Sequence, residues 1–175
     1  MIKLGHATIR LVQESLIAQK VDIIVNPANT YLWMKHGISG VLKREGGDGI
    51  EREALSKGPI PLGGVVLTGS GSLPCGRIAH VAVMTQDLKV SRETVGLAVS
   101  KVLEAAEGAR ATSIAMPPLG VGNAAPPPEV VAAEMFGPMI EVLPEARSVR
   151  DVRICLPDEE QMQQYKDVLM GFFAG

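Results

Sequence analysis

A short buried strand that ends in asparagines constrains this chain more than any other feature. The run Val21–Val25 (VDIIV) is β-branched apart from Asp22, which indicates a strand covered on both faces. The run ends at Asn26-Pro27, and Asn29 follows two residues later. Ligands of open α/β sheets bind at the carboxyl ends of the strands. This terminus therefore predicts a polar binding edge.

A glycine-bearing segment comes after the asparagines. Gly37 and Gly40 lack a Cβ, so the backbone there can approach a ligand closely. A helix-like pattern through Val41, Leu42 and Glu45 follows, and the start of a helix offers free N–H groups and the positive end of the helix dipole. The segment therefore predicts a phosphate cradle beside the asparagines.

A second loop of the same character is PPLGVGNAAP, residues 117–126. It follows a predicted buried strand and precedes a predicted helix, so its N–H groups and the helix dipole predict a second anion-binding nest. From the residues alone, an ordinary turn is the alternative interpretation of Gly120-Val121-Gly122.

The rest of the chain alternates between strand and helix patterns. Strands are predicted over Ala7–Val12, Gly64–Thr68, Arg77–Ala82, Thr112–Met116 and Val149–Leu156, and helices over Asp48–Ser56, Ser91–Gly108, Glu129–Val142 and Asp158 to about Met170. This alternation predicts an α/β fold with a largely parallel sheet covered by helices on both faces. Neither a repeat nor a linker interrupts it, so one domain over residues 1–175 is expected.

Charge and cysteine content narrow the possible function classes. The formal net charge is −2, with basic residues mixed among acidic ones, so nothing predicts binding to duplex nucleic acid or an anionic membrane. Cys75 and Cys155 lack CxxC spacing and nearby histidines, which favours small core residues over metal ligands. The sequence has no membrane-spanning run. A cytoplasmic protein without a cofactor or a metal is the expectation.

Several motifs resemble the macrodomain family of ADP-ribose-binding modules. Residues 12–47, with VQESLI, VDIIVNPAN and HGISG, align with the family opening without a gap. PPLGVGNAAP is similar to the second phosphate loop of the family, and a further motif is matched by Gly64, Thr68, Gly71, Leu73, Pro74 and His80. The resemblance implies a three-layer α/β/α fold with a mixed, largely parallel central sheet. It also implies a cleft for ADP-ribose or ADP-ribosylated molecules.

The same resemblance implies where the ligand would be held. Asn29 matches the asparagine that holds the distal ribose, and it is the candidate catalytic residue if the protein is an enzyme. The ligand-binding positions implied are Glu14, Ser15, Leu16, Asn26, Ala28, Asn29, Gly37, Ile38, Ser39, Gly120, Val121, Gly122, Asn123, Ala124 and Pro157.

Several positions depart from the family pattern, among them Met34-Lys35-His36 in place of most of the glycine tetrad and Ala125 in place of a glycine. Ser15 stands where an aspartate usually accepts the adenine amino group, and Pro157 stands where an aromatic ring often stacks on adenine. Ala124 replaces an aromatic residue beside the distal ribose, and Ser39 replaces the aspartate of the hydrolytic branch. A serine is a poor general base unless another group activates it.

Three functions therefore stay open from the sequence. The first is binding of ADP-ribose or a derivative. The second is hydrolysis, which would release ADP-ribose from proteins, deacetylate O-acetyl-ADP-ribose or remove a terminal phosphate. The third is an interaction module that has lost its nucleotide. His80, inside an apolar strand, is interpreted as a core histidine and not as a base.

Overall fold

A computed structural model describes residues 1–120 and 124–174. The strands are β1 (Ile2–Leu4), β2 (Ala7–Val12), β3 (Ile23–Asn29), β4 (Val65–Gly69), β5 (Arg77–Met84), β6 (Ser113–Met116) and β7 (Asp151–Cys155). The helices are α1 (Gly37–Gly46), α2 (Gly49–Ser56), α3 (Arg92–Gly108), α4 (Pro128–Val142) and α5 (Glu159–Gly171).

The strands form one sheet in the order β1-β2-β7-β6-β3-β5-β4. The five inner strands are mutually parallel, whereas β1 and β4 pair antiparallel at the two edges. The predicted mixed, largely parallel sheet is thus confirmed. The edge strand β1 was not predicted, because three residues are too few to show an alternating pattern.

Helices cover both faces of the sheet, as predicted. Alternate residues of β3 face opposite sides: Ile23 and Val25 pack in the larger core with α3, α4 and α5, and Ile24 packs in a smaller core with Leu42 of α1 and Ile50 of α2. The result is three layers, α/β/α. No helix in the described residues is long and apolar enough to cross a membrane.

Strand β3 is longer than the sequence predicted. It was expected to end at Asn26-Pro27, but it continues through Pro27 to Asn29. Within residues 1–120, β3 pairs with β6 through Ile23 and Ile24 alone, while its pairing with β5 extends to Asn29. One side of the strand is therefore free of ladder hydrogen bonds beyond Ile24, which lets a proline lie inside it.

Two predicted helix starts are capped by the side chains that the sequence indicated. The side chain of Ser91 accepts a hydrogen bond from the N–H of Thr94, and that of Asp158 accepts one from the N–H of Gln161 at 2.8 Å. Helix α1 begins at Gly37, earlier than the apolar pattern at Val41 indicated. The glycines and the serine of its first turn carry no helical apolar period, so this start was hidden.

Candidate functional site

A cleft of about 390 Å³ opens where the parallel strands end. Pro27 and Asn29 at the end of β3 line it on one side, together with Trp33 and residues 35–39. The other lining residues are Met84 at the end of β5, Asp87 and Leu88 beyond that strand, and Leu119 after β6. An asparagine side chain, helix α1 and the connections after three neighbouring strands thus meet at one edge of the sheet.

A second cavity of about 440 Å³ adjoins the first, and Ile38 lines both. It is bounded by the residues that follow β2, β6 and β7, namely Glu14, Ser15, Leu16, Pro117, Pro118, Leu156 and Pro157, together with Cys155 at the end of β7 and Gln161 of α5. Both volumes lie within the range of about 300–1,000 Å³ that is usual for small-molecule sites. Because they share Ile38, we refer to the two cavities together as the groove.

The start of α1 supplies hydrogen-bond donors to this groove. The N–H groups of Gly37, Ile38 and Ser39 belong to the first helical turn, which has no intrahelical acceptors for them. Within the described residues, these three N–H groups donate no hydrogen bond to any other acceptor. Gly37 has φ +58°, and no atom lies within 4 Å of the place a Cβ would take. Free amides and the helix dipole therefore face an open space suited to an anion.

The charges of the groove are unevenly distributed. Lys35 lines it next to the start of α1, and its ammonium lies 5.4 Å from the centre of the Trp33 ring. Asp87 and Glu14 contribute carboxylates at other points of the wall. The positive charge is thus concentrated where the helix amides are.

Asn29 is held in place but keeps binding capacity. Its Oδ1 accepts a hydrogen bond from the N–H of Tyr31 at 2.9 Å, and its Nδ2 donates to the carbonyl of Trp33 at 3.0 Å. A primary amide has two donors and two acceptor lone pairs. One of each therefore remains for a ligand, on a side chain that is 5% exposed in the cleft.

The predicted contact between Asn26 and a ligand takes a different form in the structure. Asn26 and His80 are register partners on β3 and β5, so both side chains point to the same face of the sheet. Asn26 Nδ2 lies 3.0 Å from His80 Nδ1, and Asn26 Oδ1 accepts a hydrogen bond from Ser39 Oγ at 2.8 Å. Asn26 is fully buried and holds Ser39, which is itself part of the cleft wall.

His80 is a core residue, as the sequence indicated. It is fully buried, and its Nε2 lies 2.9 Å from Thr68 Oγ1. Burial lowers the pKa of His80 to about 4, so the ring is neutral at physiological pH. It does not line the cleft, and its place in the structure is to orient Asn26.

The segment that carries Lys35 and His36 is held in place by hydrogen bonding and by core packing. The carboxylate of Glu51 on α2 accepts a hydrogen bond from the N–H of Met34 at 2.6 Å and pairs with Lys43 of α1. Met34 itself is buried in the core beneath α1. This arrangement leaves Lys35 and His36 exposed at the edge of the groove.

The second predicted phosphate loop is only partly described, because Val121, Gly122 and Asn123 lie outside the described residues. A Cβ on Gly120 would stand 2.8 Å from Val131, so core packing explains the glycine. Pro126, Pro127 and Pro128 have no N–H, and the N–H groups of Val130 and Val131 are both bonded to the Pro127 carbonyl. The start of α4 therefore offers fewer free donors than the sequence predicted.

Other predicted residues divide between the groove and the core. Glu14, Ser15, Leu16 and Pro157 come together at one end of the groove, and the Glu14 carboxylate there accepts a hydrogen bond from Gln19 at 3.0 Å. Two positions differ from the prediction. The side chain of Ala28 packs with Leu32 and Ala54 in a small core cluster, because its place on β3 points it toward α2. Ala124 is exposed and does not line the described groove.

Several lining residues were missed by the sequence reasoning. Met84, Asp87 and Leu88 come from the connection between β5 and α3, and Gln161 comes from the first turn of α5. The signal for the first three was present, because VMTQDLKV, residues 83–90, directly follows the predicted strand Arg77–Ala82 and therefore had to lie at the same sheet edge. Nothing in the sequence pattern set Gln161 apart.

Comparisons with known proteins agree on the family. The model of the Macro domain family matches residues 25–135. An uncharacterized protein of Aquifex aeolicus is 35% identical over 162 residues, which cover 92% of this chain and 97% of that protein. Among solved structures, the Oceanobacillus iheyensis macrodomain with ADP superposes with a TM-score of 0.88 at 23% identity, covering 98% of this chain and 95% of that one.

A more distant structure gives the same result. The Trypanosoma brucei macrodomain in complex with ADP-ribose superposes with a TM-score of 0.82 at 20% identity, covering 91% of this chain and 68% of that one. The fold, the matched residues and the Aquifex relative converge, and this chain belongs to the macrodomain family.

Proposed function

We propose that this chain binds ADP-ribose, free or attached to another molecule, in the groove at the carboxyl ends of the sheet strands. The observation that carries the proposal is the set of free N–H groups at Gly37, Ile38 and Ser39, which open into the cleft beside Asn29. Backbone N–H groups at a helix start, together with the positive end of the helix dipole, form a binding site suited to a pyrophosphate.

The rest of the groove fits the two ends of such a ligand. Ser15, Leu16 and Pro157 offer a polar contact and apolar cover at one end, where we place the adenine. Asn29 offers a donor and an acceptor at the other end, where we place the distal ribose. Solved macrodomains of similar fold contain ADP or ADP-ribose, which supports this class of ligand. ADP-ribosylated partners and a cytoplasmic location stay predictions.

Isothermal titration calorimetry with ADP-ribose and ADP tests the proposal. We expect saturable binding of ADP-ribose, and we expect Asn29→Ala to weaken it by about tenfold, since one or two hydrogen bonds to the ligand are lost. Glu104→Ala is the control, because Glu104 is an exposed residue of α3, which packs on the face of the sheet opposite to α1. The absence of heat at millimolar ADP-ribose with a folded protein would refute the proposal.

Hydrolysis of an ADP-ribose derivative is the second candidate, and Asp87 is the observation that favours it. Ser39 cannot replace the aspartate of the hydrolytic branch as a base, but Asp87 is an acidic residue that lines the same cleft as Asn29. In this version Asn29 positions the distal ribose, and Asp87 accepts a proton from the attacking water. Asp87→Asn should then abolish turnover while ADP-ribose still binds; an unchanged rate would reject Asp87 as the base.

An interaction module without nucleotide is the least supported reading. It predicts a cleft filled by Met34 or Trp33. Instead Met34 packs in the core and Trp33 forms one wall of a cavity of about 390 Å³. The open groove favours a bound small molecule.

A further inference from the structure

We propose that a buried chain of hydrogen bonds fixes Ser39 as a hydrogen-bond acceptor in the cleft, so that its side chain takes a hydroxyl group of the ligand and not a phosphate. The chain runs from Thr68 through His80 and Asn26 to Ser39. The identity of the ligand rests on the proposed function, whereas the direction of the hydrogen bonds does not.

The direction is set at the end far from the cleft. Thr68 Oγ1 lies 2.9 Å from the carbonyl oxygen of Gly69, which can only accept, and 2.9 Å from His80 Nε2. Both contacts are hydrogen bonds only if the single hydroxyl proton points to Gly69 and Nε2 donates to Oγ1, since the reverse direction would leave two acceptor oxygens facing each other. His80 Nε2 therefore carries a proton.

The tautomer of His80 in turn determines the orientation of the Asn26 amide on the neighbouring strand. A neutral imidazole with a proton on Nε2 has a bare Nδ1, and burial lowers the pKa of His80 to about 4, which keeps the ring neutral. Asn26 Nδ2 lies 3.0 Å from that bare Nδ1 and donates to it. The Nδ1 position thus selects one of the two orientations of the Asn26 amide.

The amide orientation then determines the role of Ser39. Since Asn26 Nδ2 faces the histidine, Oδ1 faces helix α1 and accepts the hydroxyl proton of Ser39 at 2.8 Å. Ser39, 8% exposed, lines the cleft together with Asn29. Its oxygen keeps lone pairs but has no proton left to donate.

Two chemical consequences follow for the ligand. A phosphate oxygen is itself an acceptor, so it gains nothing from Ser39 Oγ and is directed to the backbone N–H groups of α1. A ribose hydroxyl or a water is a donor and can bind there. The amide oxygen of Asn26 is too weak a base to take the serine proton, so Ser39 is not activated as a nucleophile.

Nuclear magnetic resonance tests the direction in the unliganded wild-type chain. The ¹⁵N chemical shifts of an imidazole distinguish a protonated nitrogen from a bare one, and only three histidines have to be assigned. We expect a protonated Nε2 and a bare Nδ1 at His80. A proton on Nδ1 would overturn the proposal without any substitution.

A pair of variants tests the control by Thr68. Thr68→Val keeps the shape of the buried side chain but removes the acceptor for His80 Nε2, and Thr68→Ser keeps the hydroxyl. We expect the valine variant to move the proton to Nδ1, which lets Asn26 turn and Ser39 donate. The serine variant should retain the wild-type nitrogen shifts. Equal shifts in all three proteins would contradict the proposal.

Binding measurements test the role of Ser39 toward the ligand. Ser39→Ala should lower the ratio of ADP-ribose to ADP affinity by about three- to tenfold, the effect of one hydrogen bond. Thr68→Val should lower that ratio similarly, and Thr68→Ser should not. An unchanged ratio in Ser39→Ala would overturn the ligand contact. If the wild type binds neither compound, the proposed function and the ligand contact fail together, while the nitrogen shifts still decide the orientation of Ser39.

Discussion

Asp22 joins the starts of two parallel strands through one carboxylate oxygen. Its Oδ2 accepts hydrogen bonds from the N–H of Thr112 at 2.6 Å, from the Thr112 hydroxyl at 2.8 Å and from the N–H of Ser113 at 3.2 Å. The Ser113 hydroxyl in turn accepts one from the N–H of Asp22 at 2.9 Å. The bond from the Thr112 N–H, with the others, lowers the pKa of Asp22 below its ordinary value.

Asp22→Asn should lower the free energy of unfolding by about 1–2 kcal/mol at pH 7, because donors that faced a carboxylate lose a charged acceptor. A lowered pKa contributes stability above the unfolded-state value of about 4 and loses it as the pH falls through the folded-state value. Urea unfolding at several pH values should therefore show the gap to wild type closing below about pH 4. Glu104→Gln, at an exposed helix position, should show no such closure.

Asn29 was predicted at the binding edge from its position after a buried strand, whereas Ser15 and Pro157 were predicted from the family motifs alone. All three line the groove, and their contact with a ligand stays a prediction. Asn26 was placed there too, but strand alternation turns its side chain into the core toward Ser39. Continuation of the strand through Pro27 was not expected, so the direction of this side chain was not predictable.

At the scale of elements, a substitution at the start of α1 should affect both the stability of the fold and the affinity for the ligand. Gly37→Ala puts a Cβ into open cleft space at a residue with φ +58°, so it should cost about 1–2 kcal/mol of stability through left-handed strain. It should also weaken ADP-ribose binding by tenfold or more, because the methyl group stands in front of the free amides.

Gly47→Ala is the matched control for that experiment. Gly47 has φ +105°, has open space around its Cβ position and ends the same helix, but it does not line the groove. Thermal unfolding should show a loss of stability in both variants, larger in Gly47→Ala because φ 105° with ψ 160° is essentially restricted to glycine. Calorimetry should show a loss of affinity in Gly37→Ala alone. Equal affinities would remove the amides of α1 from the proposed site.

Elements with a long apolar period were predictable to within a few residues. Helix α3 was expected to end at Gly108 and α4 at Val142, and both do. The connection from Thr85 to Val90 was left without a function, although it lies at the same sheet edge as the asparagines. Connections carry no periodic pattern, so their side chains were assigned only where the family motif covered them.

At the scale of the whole molecule, α5 is attached to the larger core mainly through Tyr165. Its ring packs against Phe136 of α4, with centroids 5.8 Å apart and an angle of 80° between the ring planes. The hydroxyl is buried, and its partner is the sulfur of Met135 at 3.8 Å. An edge-to-face pair of this kind contributes stability beyond its buried area.

Tyr165→Ala should therefore reduce the free energy of unfolding by about 3–5 kcal/mol, the usual cost of truncating a buried aromatic residue. Tyr165→Phe should change it by less than about 1 kcal/mol, since a sulfur is a weak acceptor and little hydrogen bonding is lost. Chemical denaturation of the two variants measures the difference. A large loss in Tyr165→Phe would show that the hydroxyl, and not the ring, holds α5.

The limited pairing between β3 and β6 has a mechanical consequence. On the side of the groove, the sheet divides beyond Ile24 into one group of strands ending with β6 and another beginning with β3. A nucleotide bound across that division would contact both groups of strands and restrict their movement relative to each other. The exchange of the backbone amides of Val25, Asn26 and Ala28 with deuterium should then slow when the groove is filled, far more than that of amides in the outer strand β1.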